Sequence, residues 1–231
     1  MLIKKVLNST EREIRERKFN IFIGISLGNK YFTKPNIKKY IQWALRNTKD
    51  KVVVLVADKI HAINYEVRRG YSPERSLDVA LRKGKEIKNS VIKILNSFSP
   101  EEMRRVIILR WEDIEKDADF SKEQRIVRQF YDFNSEFKEE IRKIVRENIN
   151  PSVVKLKKDD HVKLEQYPLA EFPLFINGIN YEGKSYTLIP YPGISKIDLL
   201  AADIQQGRKY SELGKKLGTR SKCVIVEAYA E

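Results

Sequence analysis

Ser26 stands between two glycines in Gly24-Ile25-Ser26-Leu27-Gly28, where an apolar run that begins at Ile21 gives way to a polar loop. A hydroxyl on a tight strand-to-loop turn is exposed without a long flexible arm, and glycines at 24 and 28 let backbone approach whatever binds there. The chemistry such a placement suggests is covalent catalysis with Ser26 as nucleophile.

A nucleophile needs a scaffold, and the surrounding pattern supplies one. Ile21 to Ile25 and Val52 to Ala57 are β-branched runs that read as strands buried on both faces. Pro35 to Arg46 carries Ile37, Ile41, Trp43 and Leu45 and reads as the crossover helix between them, which implies parallel pairing. Val106 to Leu109 reads as a third short buried strand. The expected fold is α/β: a Rossmann-like sheet, mostly parallel, with helices on both faces, in one catalytic domain over residues 1–231. Ligands of such sheets sit beyond the carboxyl ends of the strands, where Ser26 and Ala57-Asp58 both lie.

Two long helices stand out. Ser72-Pro73 opens one that runs to Leu95, with Leu77, Leu81, Gly84, Ile87, Val91 and Leu95 in a stripe. Arg75, Arg82 and Lys93 fall opposite that stripe, Lys83 and Lys85 on its flanks and Lys88 at its edge, so the exposed face is basic. The other, from about Ser121 to Asn148, repeats Ile126, Phe130, Phe133, Phe137, Ile141 and Ile144 and reads as one continuous core helix. After Asn150-Pro151 the pattern shifts to a polar stretch, then a short helix or loop over Leu169 to Ile176. An Asn-Gly turn follows at 177 and 178, then a strand from Tyr186 to Tyr191, and a tail after Ser195 that is helical and then strand-like.

Composition narrows the function. Lys and Arg outnumber Asp and Glu by 45 to 32 in 231 residues, and the formal charge of +13 favours a polyanionic partner. The single cysteine, Cys223, excludes an internal disulfide framework, and no Cys/His cluster has metal spacing. Neither a Gly-x-Gly-x-x-Gly turn nor a Walker loop occurs, so no nucleotide cofactor and no metal are expected. No run approaches the ~18 apolar residues of a membrane span, and the N-terminus lacks the apolar run of a signal peptide. The expectation is a soluble, cytoplasmic, monomeric protein.

Gly24 to Gly28 also matches the Gly-x-Ser-x-Gly elbow of α/β-hydrolases, but that reading requires several earlier strands and a late histidine. Only His61 and His161 exist, and Ser26 is expected to lack a histidine base, which leaves a serine esterase as the lesser alternative. An ester that arrives already activated, such as an aminoacyl ester on tRNA, needs only modest proton shuttling from a tyrosine, a carboxylate or its own leaving hydroxyl.

Three motifs then carry a resemblance. Gly24-Ile25-Ser26 with Asn29 and Tyr31-Phe32 behind it, Tyr167-Pro168-Leu169-Ala170-Glu171-Phe172-Pro173, and Tyr191-Pro192 resemble, in order and spacing, the motifs of the cyclodipeptide synthases. The resemblance implies a catalytic domain akin to class I tyrosyl- and tryptophanyl-tRNA synthetases without their ATP-binding signatures. It also implies two aminoacyl-tRNAs per cycle, an aminoacyl and then a dipeptidyl ester on Ser26, and release of a diketopiperazine. By that resemblance Tyr167 and Glu171 hold the ammonium of the bound aminoacyl group, Glu171 also shuttles protons, and Tyr191 serves the final proton transfer. Amides around Gly24 and Asn29 position the ester carbonyl, and the helix with Arg75, Arg82, Lys83, Lys85, Lys88 and Lys93 binds tRNA. Asn20 replaces the histidine that commonly opens the first motif. Asn29 matches one branch of the family, Tyr191-Pro192 the proline-type branch, which is favoured.

The residue types suit that task on their own terms: a carboxylate offers an ammonium a charge-assisted hydrogen bond, and a phenol can donate or accept a proton. Strand and neighbouring residues flanking the serine are expected to form the first aminoacyl pocket: Phe22, Gly24, Val54, Val56, Leu174 and Ile189. The rival from another class is a non-catalytic RNA- or tRNA-binding protein with a synthetase-like sheet, which gives Ser26 no task.

Overall fold

The computed structural model describes residues 1–148, 158–218 and 222–230; the shift read at Asn150-Pro151 lies outside them. In chain order the elements are β1 (Leu2–Leu7), α1 (Glu11–Arg15), β2 (Ile21–Ser26), α2 (Lys34–Asn47), β3 (Val52–Ala57), a 3-10 turn (Lys59–His61), α3 (Ala62–Arg69), α4 (Pro73–Leu95) and α5 (Pro100–Arg104). There follow β4 (Val106–Arg110), α6 (Trp111–Glu115), α7 (Ala118–Phe133), α8 (Ser135–Asn148) and α9 (Lys158–Asn177). The remainder is β5 (Ile179–Tyr181), β6 (Lys184–Tyr186), β7 (Leu188–Tyr191), α10 (Lys196–Gln205), α11 (Ser211–Leu217) and β8 (Val224–Tyr229). No helix among the described residues is long and apolar enough to cross a membrane.

Six strands form one sheet in the order β1-β8-β7-β2-β3-β4. Every pair is parallel except β1 with β8, so this is the Rossmann-like, mostly parallel sheet that the alternation of strands and helices implies. Since the strands run one way, the carboxyl ends of β2, β3, β4 and β7 converge on one edge. Ser26, Asp58, Arg110 and Tyr191 are gathered there.

Parity decides what each strand residue touches. Ile21, Ile23, Val52 and Val54 pack with Ile37, Tyr40 and Ile41 of α2 and Val91 and Ile94 of α4. Phe22, Val53, Leu55 and Ala57 face the other way, toward Trp111 and Ile114 of α6, Phe120 of α7 and Leu174 of α9. On that second side α7, α8, α9, α10 and α11 add a helical layer of their own around Phe137, Phe172 and Leu213.

Asp58 locks the edge. Its side chain is 1% exposed and accepts from Arg110 Nε at 2.5 Å, from Lys59 N at 2.8 Å and from Trp111 N at 3.3 Å. α4 passes directly over this carboxylate, and only a residue without a side chain fits: a Cβ on Gly84 would lie 2.2 Å from Asp58 Oδ2. Small residues Ser76, Ala80 and Gly84 therefore form the buried ridge at the start of α4, and Leu77, assigned to the stripe from sequence, is 36% exposed.

The long helix read from Ser121 to Asn148 is two helices. Asn134 leaves helical geometry at φ −107°, ψ 105°, and its side chain accepts from Phe137 N at 2.8 Å, which starts α8. Phe133 is consequently 89% exposed although it fits the apolar repeat. Conversely, the short helix or loop expected over Leu169 to Ile176 is part of α9, which continues through Pro168 and Pro173.

Candidate active site

Ser26 closes β2, and the turn after it is fixed by Asn29 N donating to Ser26 O at 3.2 Å. Asn29 is held in turn, its Oδ1 accepting from Tyr31 N at 2.9 Å while its Nδ2 donates to the Tyr191 phenol oxygen at 3.0 Å. α9 runs across the strand ends and presents Tyr167 and Glu171, one turn apart, to the same place. The Tyr167 phenol interacts with the Ser26 hydroxyl on one side and the Glu171 carboxyl on the other. The structure thus brings together Ser26, Asn29, Tyr167, Glu171 and Tyr191.

Two cavities meet at this cluster. The outer one, about 590 Å³, is walled by Gly28, Asn29 and His61 and by Asn64 and Arg68 of α3. The inner one, about 220 Å³, lies against the sheet between Phe22, Gly24, Leu55, Leu174, Ile189 and Ile225. Ser26, Tyr167, Glu171, Tyr191 and Ile197 border both. The inner cavity exceeds the roughly 150 Å³ of an apolar cavity that takes up benzene, so a large aliphatic or aromatic side chain fits. Nothing lies within 4 Å of the Cβ position at Gly24, whose missing side chain leaves that room open.

The sequence reading placed Val54 and Val56 in this pocket, and the structure does not. In the register of β2 with β3, Gly24 pairs with Leu55 and Ser26 with Ala57, so those residues share the serine's face and line the inner cavity. Val54 pairs with Ile23 and Val56 with Ile25, facing the side of α2 and α4. A one-residue error in parity moves a side chain to the opposite face. Phe22, Gly24, Leu174 and Ile189 do border the cavity.

Burial sets the electrostatics. It pushes the Glu171 carboxyl up to about 8, helped by nearby Asp198 and opposed by the Tyr167 hydrogen bond. Tyr167 is raised by burial and by Glu171, with the Ser26 hydrogen bond acting against them, and Tyr191 is raised mainly by burial. Asp198 is raised by burial as well, although Ser195 donates to it from both N and Oγ, at 2.7 and 2.6 Å. The site is therefore a chain of neutral donors ending in a carboxyl that readily exchanges a proton near neutral pH, suited to moving protons without histidine.

Two contributors escaped the sequence reading. Asp198 borders the inner cavity; a capping box was the only pattern around it. His61, to which the sequence assigned no role, sits in the outer cavity wall at the end of the 3-10 turn that follows β3. Its ring meets the edges of Tyr65 and Tyr167, with centroids 5.2 and 6.0 Å apart. Burial, then Arg68 and Lys83, lower its pKa to about 4.

On α4, Arg75, Arg82, Lys83, Lys85 and Lys93 are exposed and Lys88 is half-buried. None of the six forms an ion pair with another described residue. Arg75 stacks on Tyr71 at 4.1 Å, and Lys83 lies 5.1 Å from the centroid of the Tyr65 ring, beside the outer cavity.

Solved structures place this fold. A cyclodipeptide synthase from Staphylococcus haemolyticus is 21% identical with a TM-score of 0.72, over 98% of this chain and 99% of that one. A Mycobacterium tuberculosis protein described as showing that cyclodipeptide synthetases are related to type I tRNA synthetases is 16% identical with a TM-score of 0.71, over 96% of this chain and 89% of that one. A cyclodipeptide synthase from Candidatus Glomeribacter gigasporarum, bound to Phe-tRNAPhe, is 16% identical with a TM-score of 0.62, over 91% and 88%. No curated protein matches the sequence. The model of the cyclodipeptide synthase family matches residues 5–214, a span that takes in all three sequence motifs and every strand from β2 to β7, and the chain belongs to that family.

Proposed function

We propose that this chain, acting as a monomer with residues 1–231 as one catalytic unit, joins two aminoacyl groups through successive esters on Ser26. Family membership gives the coarse activity, aminoacyl-tRNA-dependent formation of a cyclic dipeptide. The observation that carries the finer reading is the pair of cavities that meet at one serine, each bordered by Tyr167, Glu171 and Tyr191. Such a layout suits an acyl group parked in one chamber while a second arrives in the other.

In the first step Ser26 attacks the ester carbonyl of an aminoacyl-tRNA, the ribose oxygen leaves carrying the proton that the serine hydroxyl gives up, and the side chain settles in the inner cavity. Tyr167 and Glu171 hold the α-ammonium, and Glu171 takes its proton when the amine must attack. In the second step that amine attacks the ester of a second aminoacyl-tRNA, giving a dipeptidyl ester on Ser26. The free amine of the new residue then attacks the Ser26 ester, the serine oxygen leaves with a proton, and the ring closes. Tyr191, oriented by Asn29, serves that last transfer. The cations of α4 hold the tRNA phosphates. The work belongs where charged tRNA is found, in the cytoplasm.

Intact-mass analysis after incubation with charged tRNA tests the reading. Wild-type protein should gain the mass of one aminoacyl group, and Ser26→Ala should gain none. A wild-type mass that never changes would refute the serine intermediate.

A further inference from the structure

The outer cavity contains a polar group that no step above employs. His61 is only 9% exposed, and its Nδ1 is buried without a hydrogen-bond partner among the described residues. A buried N–H without an acceptor is costlier than an unused lone pair, so the ring proton belongs on Nε2. That edge of the ring is turned to the Ser26 loop: a Cβ on Gly28 would lie 2.9 Å from His61 Cε1 and 3.4 Å from Nε2. Rings on either side, Tyr65 and Tyr167, hold it in place. With Arg68 and Lys83 close by, the imidazole stays neutral, and a neutral imidazole can polarise a carbonyl as an N–H donor.

His61 borders the outer cavity and not the inner one. It therefore faces the chamber that must receive the second aminoacyl group once the first occupies Ser26 and the inner pocket. We propose that His61 Nε2–H donates a hydrogen bond to the ester carbonyl oxygen of the second aminoacyl-tRNA, stabilising the oxyanion formed during peptide-bond synthesis but not during loading of Ser26. This rests on the two-step serine reading. In the step concerned, the amine of the Ser26-bound residue forms a bond to that carbonyl carbon and the bond from carbon to the ribose oxygen breaks. Of the two protons the ammonium loses, one goes to Glu171 and the other ends on the ribose oxygen. His61 gives up none.

Two variants separate the donor from the ring. His61→Phe keeps the ring edges against Tyr65 and Tyr167 and removes the N–H; His61→Gln restores a donor without the ring. The probe is tRNA charged with the single radiolabelled amino acid that acylates wild-type Ser26, followed by a chase with tRNA charged with the partner that yields product. In rapid-quench experiments His61→Phe should load Ser26 at the wild-type rate and slow dipeptide formation by about 10²-fold, the usual loss of one oxyanion donor. His61→Gln should recover much of that loss, and Gly28→Ala, which pushes the ring aside, should reproduce part of the defect. Equal slowing of both half-reactions in His61→Phe, or no slowing of the second, would overturn the proposal. Wild-type protein that never acquires a label would instead defeat the serine reading, and the proposal with it.

Discussion

Glu171 concentrates the chemical tension of this site, because the role proposed for it, holding an ammonium, requires the ionised form, whereas burial favours the neutral one. A carboxyl raised from 4.5 to about 8 in the folded protein holds its proton where the unfolded chain has already lost it. The native state then binds more protons, so stability falls as pH rises between those two values, and the full penalty remains above the higher one. Glu171→Gln, a mimic of the protonated form, should melt alongside wild type near pH 4 and pull ahead as pH rises, by roughly 10 °C at pH 8.5 in a chain of this length. Parallel melting curves across that range would show that Glu171 is not held neutral. Much of this cluster was legible in the residues themselves: Ser26 between glycines, Tyr167 and Glu171 one turn apart, and Tyr191 at a strand end. His61 and Asp198 were not, because nothing local marks a lone histidine after a strand, or an aspartate inside a capping box, as bordering a cavity. Only the convergence of β3, α9 and α10 places them there.

At the scale of elements, the positions that mattered were small or ambiguous. Six consecutive apolar residues in β3 give no alternation from which to read a face, so the pocket side, Leu55 and Ala57, emerged only from the register with β2. The break between α7 and α8 was masked by an apolar repeat that runs through it, although Asn134-Ser135 carries the cap that makes it. The apolar stripe of α4 includes Gly84 but takes Leu77 where Ser76 and Ala80 are the buried residues, because a close-packed ridge needs small side chains, not large ones. The ridge permits a sharp test. Helix propensity alone favours Gly84→Ala by about 1 kcal/mol, whereas a Cβ 2.2 Å from Asp58 Oδ2 must displace α4 or break the buried pair with Arg110. The second effect outweighs the first, and the substitution should destabilise by roughly 2–4 kcal/mol in urea unfolding. A neutral or stabilising result would mean that α4 does not rest on Asp58.

Across the whole molecule, the surplus of cations does little for the fold. The ion pairs that the structure does make are mostly exposed, and pairs of that kind are worth between zero and about 1 kcal/mol each. A formal charge of +13 on a compact chain is self-repulsive, and it is sustained at small cost only if the excess faces water or a polyanion. In the proposed reading, the six cations of α4, none of them in an ion pair with another described residue, form a track from Lys83, beside the Tyr65 ring, that a phosphate backbone follows while its terminal ester reaches Ser26. Contacts of this kind read charge and shape, so they ought to serve both aminoacyl-tRNAs alike, whatever amino acid each carries. Replacing Arg82 and Lys85 together with alanine should then weaken binding of either substrate by a similar factor. It should also flatten the dependence of log Kd on log salt by about 1.5, since each lost phosphate contact removes about 0.7 to 0.9 from the slope. Binding titrations between roughly 50 and 200 mM salt measure both quantities at once. An unchanged slope would move the tRNA off α4, and a loss confined to one of the two substrates would mean that the helix reads the aminoacyl end and not the backbone.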